Sequence, residues 1–199
     1  MNEKIIMNVS KGFLKKLFGK DRIESVVLKE NGFTIRMEKG EEIPLAFDQV
    51  KAVKSNFYFD QSTPYRMVTF VMKDEKEYTL NVSSDRAEID SILQHYAKYQ
   101  LQGDLPENVG AIKLILQYGL NDYTLRLENG SLIETKNGQE SIYPLSTMEY
   151  YRVDKPSNLI NLKFKDKKMF VRLSALHVTN LWLVMQILER VSEDKSWLI

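Results

Sequence analysis

The chain has 199 residues and a mass of 23.2 kDa, a size that fits one large domain or two small ones. Its composition is 43% hydrophobic and 28% charged, so it can bury a core and is not of the intrinsically disordered class. A formal net charge of +1 argues against a dedicated nucleic-acid binder, and the absence of cysteine excludes disulfides, thiolate zinc sites and cysteine nucleophiles.

Basic and apolar residues are interleaved near the start of the chain. The basic ones are Lys11, Lys15, Lys16, Lys20 and Arg22. Residues 1–22 contain six basic and two acidic side chains, a local charge of +4, which is typical of a segment that lies on an anionic membrane. The alternative is the first core-facing element of a domain. Because residues 1–13 lack the continuous apolar stretch of a signal peptide, we expect a cytoplasmic protein.

The sequence contains an internal repeat. At an offset of 98, residues 12–42 show eight identities with the second half of the chain. The offset is expected to become 100 at Pro44 and Val53, which then align with Pro144 and Val153, and 92 at residues 67–74. We interpret the chain as two domains, 1–100 and 101–199, with a polar linker at 102–108.

Each copy is predicted to contain strands followed by one helix. Asn-Gly pairs at 31–32, 129–130 and 137–138 predict hairpin turns with positive φ. Helix one is expected after a cap at Ser84 or Asp85, and helix two from about Ser174 to about Val191. Strict alternation predicts one-sided strands. Their inward residues would be Val68, Phe70, Met72, Tyr78, Leu80 and Val82 in copy one, and Ile160, Leu162, Phe164, Met169, Val171 and Leu173 in copy two.

The two copies differ most before the strand that starts near Met67. Thirteen residues, 54–66, separate Val53 from Met67, against the five residues 154–158 in copy two, so copy one is expected to be eight residues longer. If this segment is a loop, its aromatic residues are exposed candidates for partner binding. They are Phe57, Tyr58, Phe59 and Tyr65, with Arg66 beside them. The alternative is a strand extended through Phe59 with half-buried aromatics.

Residues 181–188 of helix two contain one polar residue in eight and are therefore expected to be covered on every side. Trp182 and Ile187 are the interface candidates, either against copy one or against a second chain in a homodimer. A basic run at Lys163, Lys165, Lys167 and Lys168 surrounds a strand turn and is interpreted as a solvated sheet face.

Each copy resembles a bacterial pleckstrin-homology-like domain, through the Asn-Gly hairpin, the segments 40–53 and 141–153, a Lys-Asp strand turn and the terminal helix. The resemblance implies an α+β, mainly β fold, in which a bent antiparallel sheet or partly open barrel is capped by a C-terminal helix. Relatives that bind phosphoinositides place basic residues around the first hairpin loop. Residues 28–32 and 127–130 carry acidic residues there, so we do not expect inositol phosphates at this site.

Catalytic motifs are not found. Only His95 and His177 are available for acid–base or metal chemistry, and no HExxH, P-loop or GxGxxG motif occurs. We therefore expect a cytoplasmic, non-catalytic binding or scaffold module without metal or cofactor, which recognises a protein or peptide through a sheet edge or the 54–66 segment. The alternative is membrane association through residues 11–22, and an enzyme with a site built from distant residues is the reserve hypothesis.

Overall fold

A computed structural model describes residues 4–8, 23–60, 63–82, 86–118, 123–154 and 156–192. The fold is α+β and mainly β, as expected, with four antiparallel sheets and two α-helices in this part of the chain. The strands described do not close into a barrel. The predicted basic segment at residues 11–22 lies outside the described residues, as do the cap candidates Ser84 and Asp85.

The first half contains a four-stranded sheet, a three-stranded sheet and a helix. The first sheet has the order β1-β2-β3-β4, and the second has the order β5-β6-β7. The elements are β1 (Lys4–Asn8), β2 (Ile23–Lys29), β3 (Gly32–Met37), β4 (Glu42–Ala46), β5 (Val50–Asp60), β6 (Thr63–Met72), β7 (Glu77–Val82) and α1 (Arg86–Leu101).

The second half repeats this sequence of elements. Its sheets have the orders β11-β10-β9-β8 and β12-β13-β14, and a helix follows them. The elements are β8 (Leu114–Tyr118), β9 (Thr124–Glu128), β10 (Ser131–Lys136), β11 (Gln139–Pro144), β12 (Met148–Asp154), β13 (Leu159–Phe164), β14 (Val171–Ser174) and α2 (Leu181–Val191).

Two hydrophobic cores form, one from residues between 23 and 96 and the other from residues between 97 and 188. Helix α1 contributes to both, because Ile92, Leu93 and Tyr96 lie in the first core and Ala97 lies in the second. The domain boundary at residues 100 and 101 stays a prediction, since α1 belongs to both cores.

The turn expected at Asn31 and Gly32 joins β2 and β3, which form the second hairpin after β1–β2, and it lies one residue earlier than predicted. Lys29 pairs with Gly32, so the turn residues are Glu30 and Asn31, and Gly32 begins β3. A Cβ at Gly32 would lie 2.2 Å from the carbonyl oxygen of Leu45. Glycine is therefore required here by the close approach of β4, and not by a positive φ. The turns at 129–130 and 137–138 do have positive φ at both residues, which confirms those two predictions.

The predicted alignment of the copies is wrong by two residues at two places. Val53 lies opposite Phe70, and the residue in the same position of the second half is Tyr151, opposite Leu162, so the offset there is 98 and not 100. Leu80 pairs with Val68 as Leu173 pairs with Ile160, an offset of 93 in place of 91. An alternating pattern repeats every two residues, so a slip of two leaves it unchanged.

Met169 shows the consequence of this slip. It was expected to face the core, but it precedes β14 and is 78% exposed. The inward residues of β6 and β13, by contrast, are buried as predicted, among them Phe70 and Leu162.

Helix α2 begins at Leu181, seven residues later than expected, and ends at Val191 as expected. The residues before it follow the edge of β8, where the Thr179 backbone N–H donates to the Leu116 carbonyl oxygen at 2.7 Å and Val178 forms a β-bridge with Gln117. Asn180 then caps the helix by accepting a hydrogen bond from the Leu183 backbone N–H.

Candidate functional site

The aromatic segment of the first half lies in a long hairpin. β5 runs through Asp60 and β6 begins at Thr63, so the extended strand is confirmed and the loop interpretation is wrong. The half-burial expected of its aromatic residues stays a prediction. Because the offset between the copies falls from 98 before the hairpin to 92 after it, copy one is six residues longer here and not eight. Loop length and strand length are hard to separate in a sequence, since aromatic residues suit either.

Backbone register places the five binding candidates at the far end of this hairpin. Phe57 pairs with Arg66, Tyr58 pairs with Tyr65, and Phe59 pairs with Pro64. The side chains of these residues lie outside the described part of the structure. What the backbone establishes is that the segment extends β5 by four residues beyond the length of β12, and that β5 is the edge strand of its sheet.

The interface candidates on α2 have different environments. Trp182 is half-buried and packs against both cores, whereas Ile187 is 3% exposed and lies in the core of the second half. A side chain buried to this degree is not available to a second chain without opening that core. Because Trp182 packs against the first core, it contacts the first half of the same chain.

Asn180 is a residue of this interface that sequence reasoning missed. It is 1% exposed, and its side-chain Nδ2 donates to the Leu93 carbonyl oxygen at 3.1 Å and to Gln100 Oε1 at 3.2 Å. Its Oδ1 caps α2 at the same time. An Asn before an apolar run signals a helix cap, but the second role depends on where α1 lies, which the sequence does not reveal.

His95 holds α1 against the β2–β3 turn. Its Nε2 donates to the carbonyl oxygens of Lys29 and Glu30, at 2.8 and 2.9 Å, and its ring packs against Phe47. Beside it is a shallow depression of about 390 Å³, which Tyr99 also lines. With its nitrogen bound to two backbone carbonyls, this histidine has a structural role.

His177 forms a side-chain hydrogen bond with Ser174. Its Nδ1 is 3.0 Å from Ser174 Oγ, but both residues lie in one turn three positions apart, and His177 is exposed. Among the described residues no carboxylate pairs with His177, so in this part of the chain the pair lacks the third group that orients a catalytic base. The described residues also contain no group of three or more potential metal ligands.

The basic run of the second half lies beside aromatic residues that sequence reasoning did not connect with it. Arg152, Asn161 and Arg172 pair across β12, β13 and β14, on the face opposite the buried Leu162. Tyr150 pairs with Lys163 on the same face.

Phe170 contacts the Tyr150 ring at 6.3 Å between centroids, and the Arg152 guanidinium lies 5.0 Å from the same ring. Only the strand register brings these residues together, because they come from three separate parts of the sequence.

The chain matches no family model and no characterised protein at the level of sequence. Of the helices that the structure describes, none is long and apolar enough to cross a membrane.

Proposed function

We propose that the chain is a non-catalytic binding module of two pleckstrin-homology-like repeats, which recognises an extended protein segment by strand addition at β5. The observation that carries this proposal is the free edge of β5. This strand has eleven residues and pairs with β6 alone in the described sheets. The cytoplasmic location of the chain is part of the same prediction.

The order of elements supports the proposed family. Each half has four antiparallel strands, then three, then a helix, which is the arrangement that the resemblance implies. The turns expected to belong to the first hairpin belong to the second, because β1 already pairs with β2 and β8 with β9. Glu30 of the β2–β3 turn and Glu128 beside the β9–β10 turn therefore disfavour a polyanionic ligand at these second hairpins. A protein ligand is compatible with this acidity.

Edge strands expose unpaired backbone N–H and C=O groups, and soluble proteins usually keep such edges short or charged. β5 is long instead, and three of its last four residues are aromatic, namely Phe57, Tyr58 and Phe59. Helix α2 lies close to β5, so we assign the free portion to the residues beyond Lys54. A peptide strand would obtain affinity from backbone hydrogen bonds and specificity from contacts with alternate side chains.

A shortened hairpin tests the proposal. Removing residues 57–60 and 63–66 deletes four facing pairs and keeps the turn residues 61–62, and because the number per strand is even, the side-chain alternation is preserved. Peptides selected from a random display library on the intact chain should bind the shortened variant at least about tenfold more weakly in calorimetry, a loss of about 1.4 kcal/mol.

The matched control is Arg152→Ala on β12, the edge strand in the same position of the second half. This variant should bind the selected peptides like the wild type. Equal affinity of the peptides for the intact and the shortened chain, with both folded by circular dichroism, would contradict strand addition at β5. Failure to select any peptide would contradict it as well.

A further inference from the structure

The outer face of the β12–β14 sheet, together with the turn before β14, forms a basic and aromatic surface. One row across the sheet consists of Arg152, Asn161 and Arg172. Next to it, Tyr150 pairs with Lys163, and Phe170 packs against Tyr150. The turn adds Lys167 and Lys168, both exposed.

Five cations of this surface have no carboxylate partner in the part of the chain that the structure describes. Residues 163–172 contain five Lys or Arg and one Asp, a net charge of +4. None of Arg152, Lys163, Lys167, Lys168 and Arg172 forms an ion pair with a carboxylate of the described residues. Lys163 donates to the carbonyl oxygen of Lys167, and Lys167 lies 5.5 Å from the Tyr143 ring.

The equivalent surface of the first half shows the opposite pattern. Residues 71–79 contain two Lys and three acidic residues, a net charge of −1. Lys51 pairs with Glu75, and Lys54 pairs with Glu77, each at 2.5 Å. The unpaired charge is therefore a property of the second copy and not a requirement of this sheet.

Apolar side chains protrude from the middle of the basic surface. Met169 is 78% exposed, the largest value among the large hydrophobic side chains described, and the neighbouring Phe170 is 39% exposed. Two apolar side chains at the tip of a turn, with lysines beside them, suit the boundary between lipid headgroups and acyl chains.

We propose that this surface docks on an anionic phospholipid membrane, with Met169 and Phe170 inserted between the headgroups and the five cations facing the lipid phosphates and carboxylates. A nucleic acid would also meet the positive charge and the rings of Tyr150 and Phe170, but Met169, the most exposed apolar side chain of the surface, has no aromatic face on which a base stacks. The lipid surface accounts for both the charge and the apolar tip, through the Coulomb attraction of basic clusters and the burial of apolar area. The site is separate from the β5 edge, so each can fail without the other.

Vesicle sedimentation tests the electrostatic part. The intact chain should pellet with vesicles of phosphatidylcholine and phosphatidylserine at about four to one, but not with pure phosphatidylcholine, and added salt should release it. Lys167→Glu/Lys168→Glu should lower the partition coefficient at least about 30-fold, because each basic residue near such a surface contributes about 1 kcal/mol. Lys73→Glu/Lys76→Glu in the equivalent turn of the first half makes the same change in charge and should leave binding within about threefold of wild type.

A single labelled cysteine tests insertion, since the natural chain has no cysteine. An environment-sensitive fluorophore at Met169→Cys should shift to the blue with the anionic vesicles. The same label at Lys76→Cys, in the equivalent turn of the first half, should not shift.

Three results would overturn the proposal. One is the absence of pelleting of the intact chain at low salt, and another is equal loss in the two double variants, which would reduce the effect to overall charge. The third is tighter binding of the intact chain to a single-stranded oligonucleotide than to the vesicles, again lost in Lys167→Glu/Lys168→Glu, which would assign the surface to a nucleic acid.

Discussion

The two three-stranded sheets have the same topology and similar interiors but different outer faces. Inside, Val53 and Phe70 of the first sheet occupy the positions of Tyr151 and Leu162 of the second, and all four are buried. Outside, the positions of Glu77 and Thr79 are taken by Phe170 and Arg172.

This difference separates the positions that the fold constrains from the positions at which the side chain can vary. A buried position must hold an apolar side chain of suitable volume, because cavities and unpaired polar groups cost several kcal/mol. An exposed position on a sheet usually changes the free energy of unfolding by less than about 0.5 kcal/mol, so the two copies can diverge there. The divergent outer faces and the unequal hairpins are therefore the places where we propose that the two copies bind different partners.

The largest effect is expected from a substitution that weakens the contact between the two halves. Asn180→Ala removes the cap of α2 and the buried hydrogen bonds to Leu93 and Gln100 of α1. We expect a loss of about 2–3 kcal/mol in the free energy of unfolding, measured by urea denaturation. Asn161→Ala, on the outer face of β13, should cost under about 0.5 kcal/mol. A loss below about 1 kcal/mol for Asn180→Ala would show that this residue does not join the halves.

The second prediction compares the four-stranded sheets. Gly32 faces Ala46 across β3 and β4, and its counterpart in the second half is Ser131, which faces Pro144 and already carries a Cβ. Gly32→Ala should cost about 2 kcal/mol in urea denaturation, because the new Cβ would overlap the backbone of β4. Gly103→Ala, where a Cβ meets no atom within 4 Å, is the control and should change the stability by less than about 1 kcal/mol. Equal effects would mean that β4 can move away at no cost.

The third prediction concerns alkaline pH and the second half. Burial is the main cause that raises the pKa of Tyr123 and of Tyr151 from 10.0 to about 12. The negative charge of Glu134 adds to the rise at Tyr123, and that of Glu189 adds to the rise at Tyr151. The unfolded chain then ionises first, so these residues stabilise the fold fully below pH 10 and lose that contribution as the pH rises to about 12. Since Tyr123 is half-exposed, solvent screening should limit its contribution to about 1 kcal/mol or less. The buried Tyr151 should contribute about 2 kcal/mol or less.

The measurement is the free energy of unfolding by urea at about pH 9 and about pH 11, compared between the wild type and Tyr123→Phe/Tyr151→Phe. The double variant should lose less stability between these two values. An identical loss in both proteins would contradict the raised pKa values.

The smallest expected effect is that of an ion pair on the first outer face. Glu77→Gln breaks the pair with Lys54, whose two side chains are 35% and 50% exposed. Solvent screening should limit the loss to about 0.5 kcal/mol or less in urea denaturation. A loss above about 1 kcal/mol would mean that the pairs of this face are structural and would weaken the contrast with the unpaired face of the second half.

Much of the architecture was predictable, and the two errors in aligning the three-stranded sheets share one cause. Alternation located the inward residues of β6 and β13, and the terminal helices were recognised from apolar residues at helical spacing, such as Ile92 and Tyr96. The misplaced equivalents, Val153 for Tyr151 and Met169 for Val171, are each displaced by two residues. Strand periodicity cannot detect such a slip, because it returns every side chain to the same face.

The candidate sites were less predictable than the fold. The five binding candidates of the β5–β6 segment come from one stretch of sequence, and the hairpin register keeps them together, while their role in binding stays a prediction. The surface formed by Tyr150, Lys163 and Phe170 was not recognised, because its members come from three strand regions and meet only through register.

Local sequence alone determined the class of fold, the repeated order of strands and helix, and the turns whose backbone demands asparagine and glycine. These features depend on side-chain alternation, helical spacing and permitted φ values, all of which act between near neighbours. Tertiary structure alone decided why Gly32 must be glycine, that Asn180 joins two helices, and that Arg152, Lys163 and Arg172 have no carboxylate partner among the described residues. Each of these depends on the distance between groups far apart in the chain, and packing sets that distance.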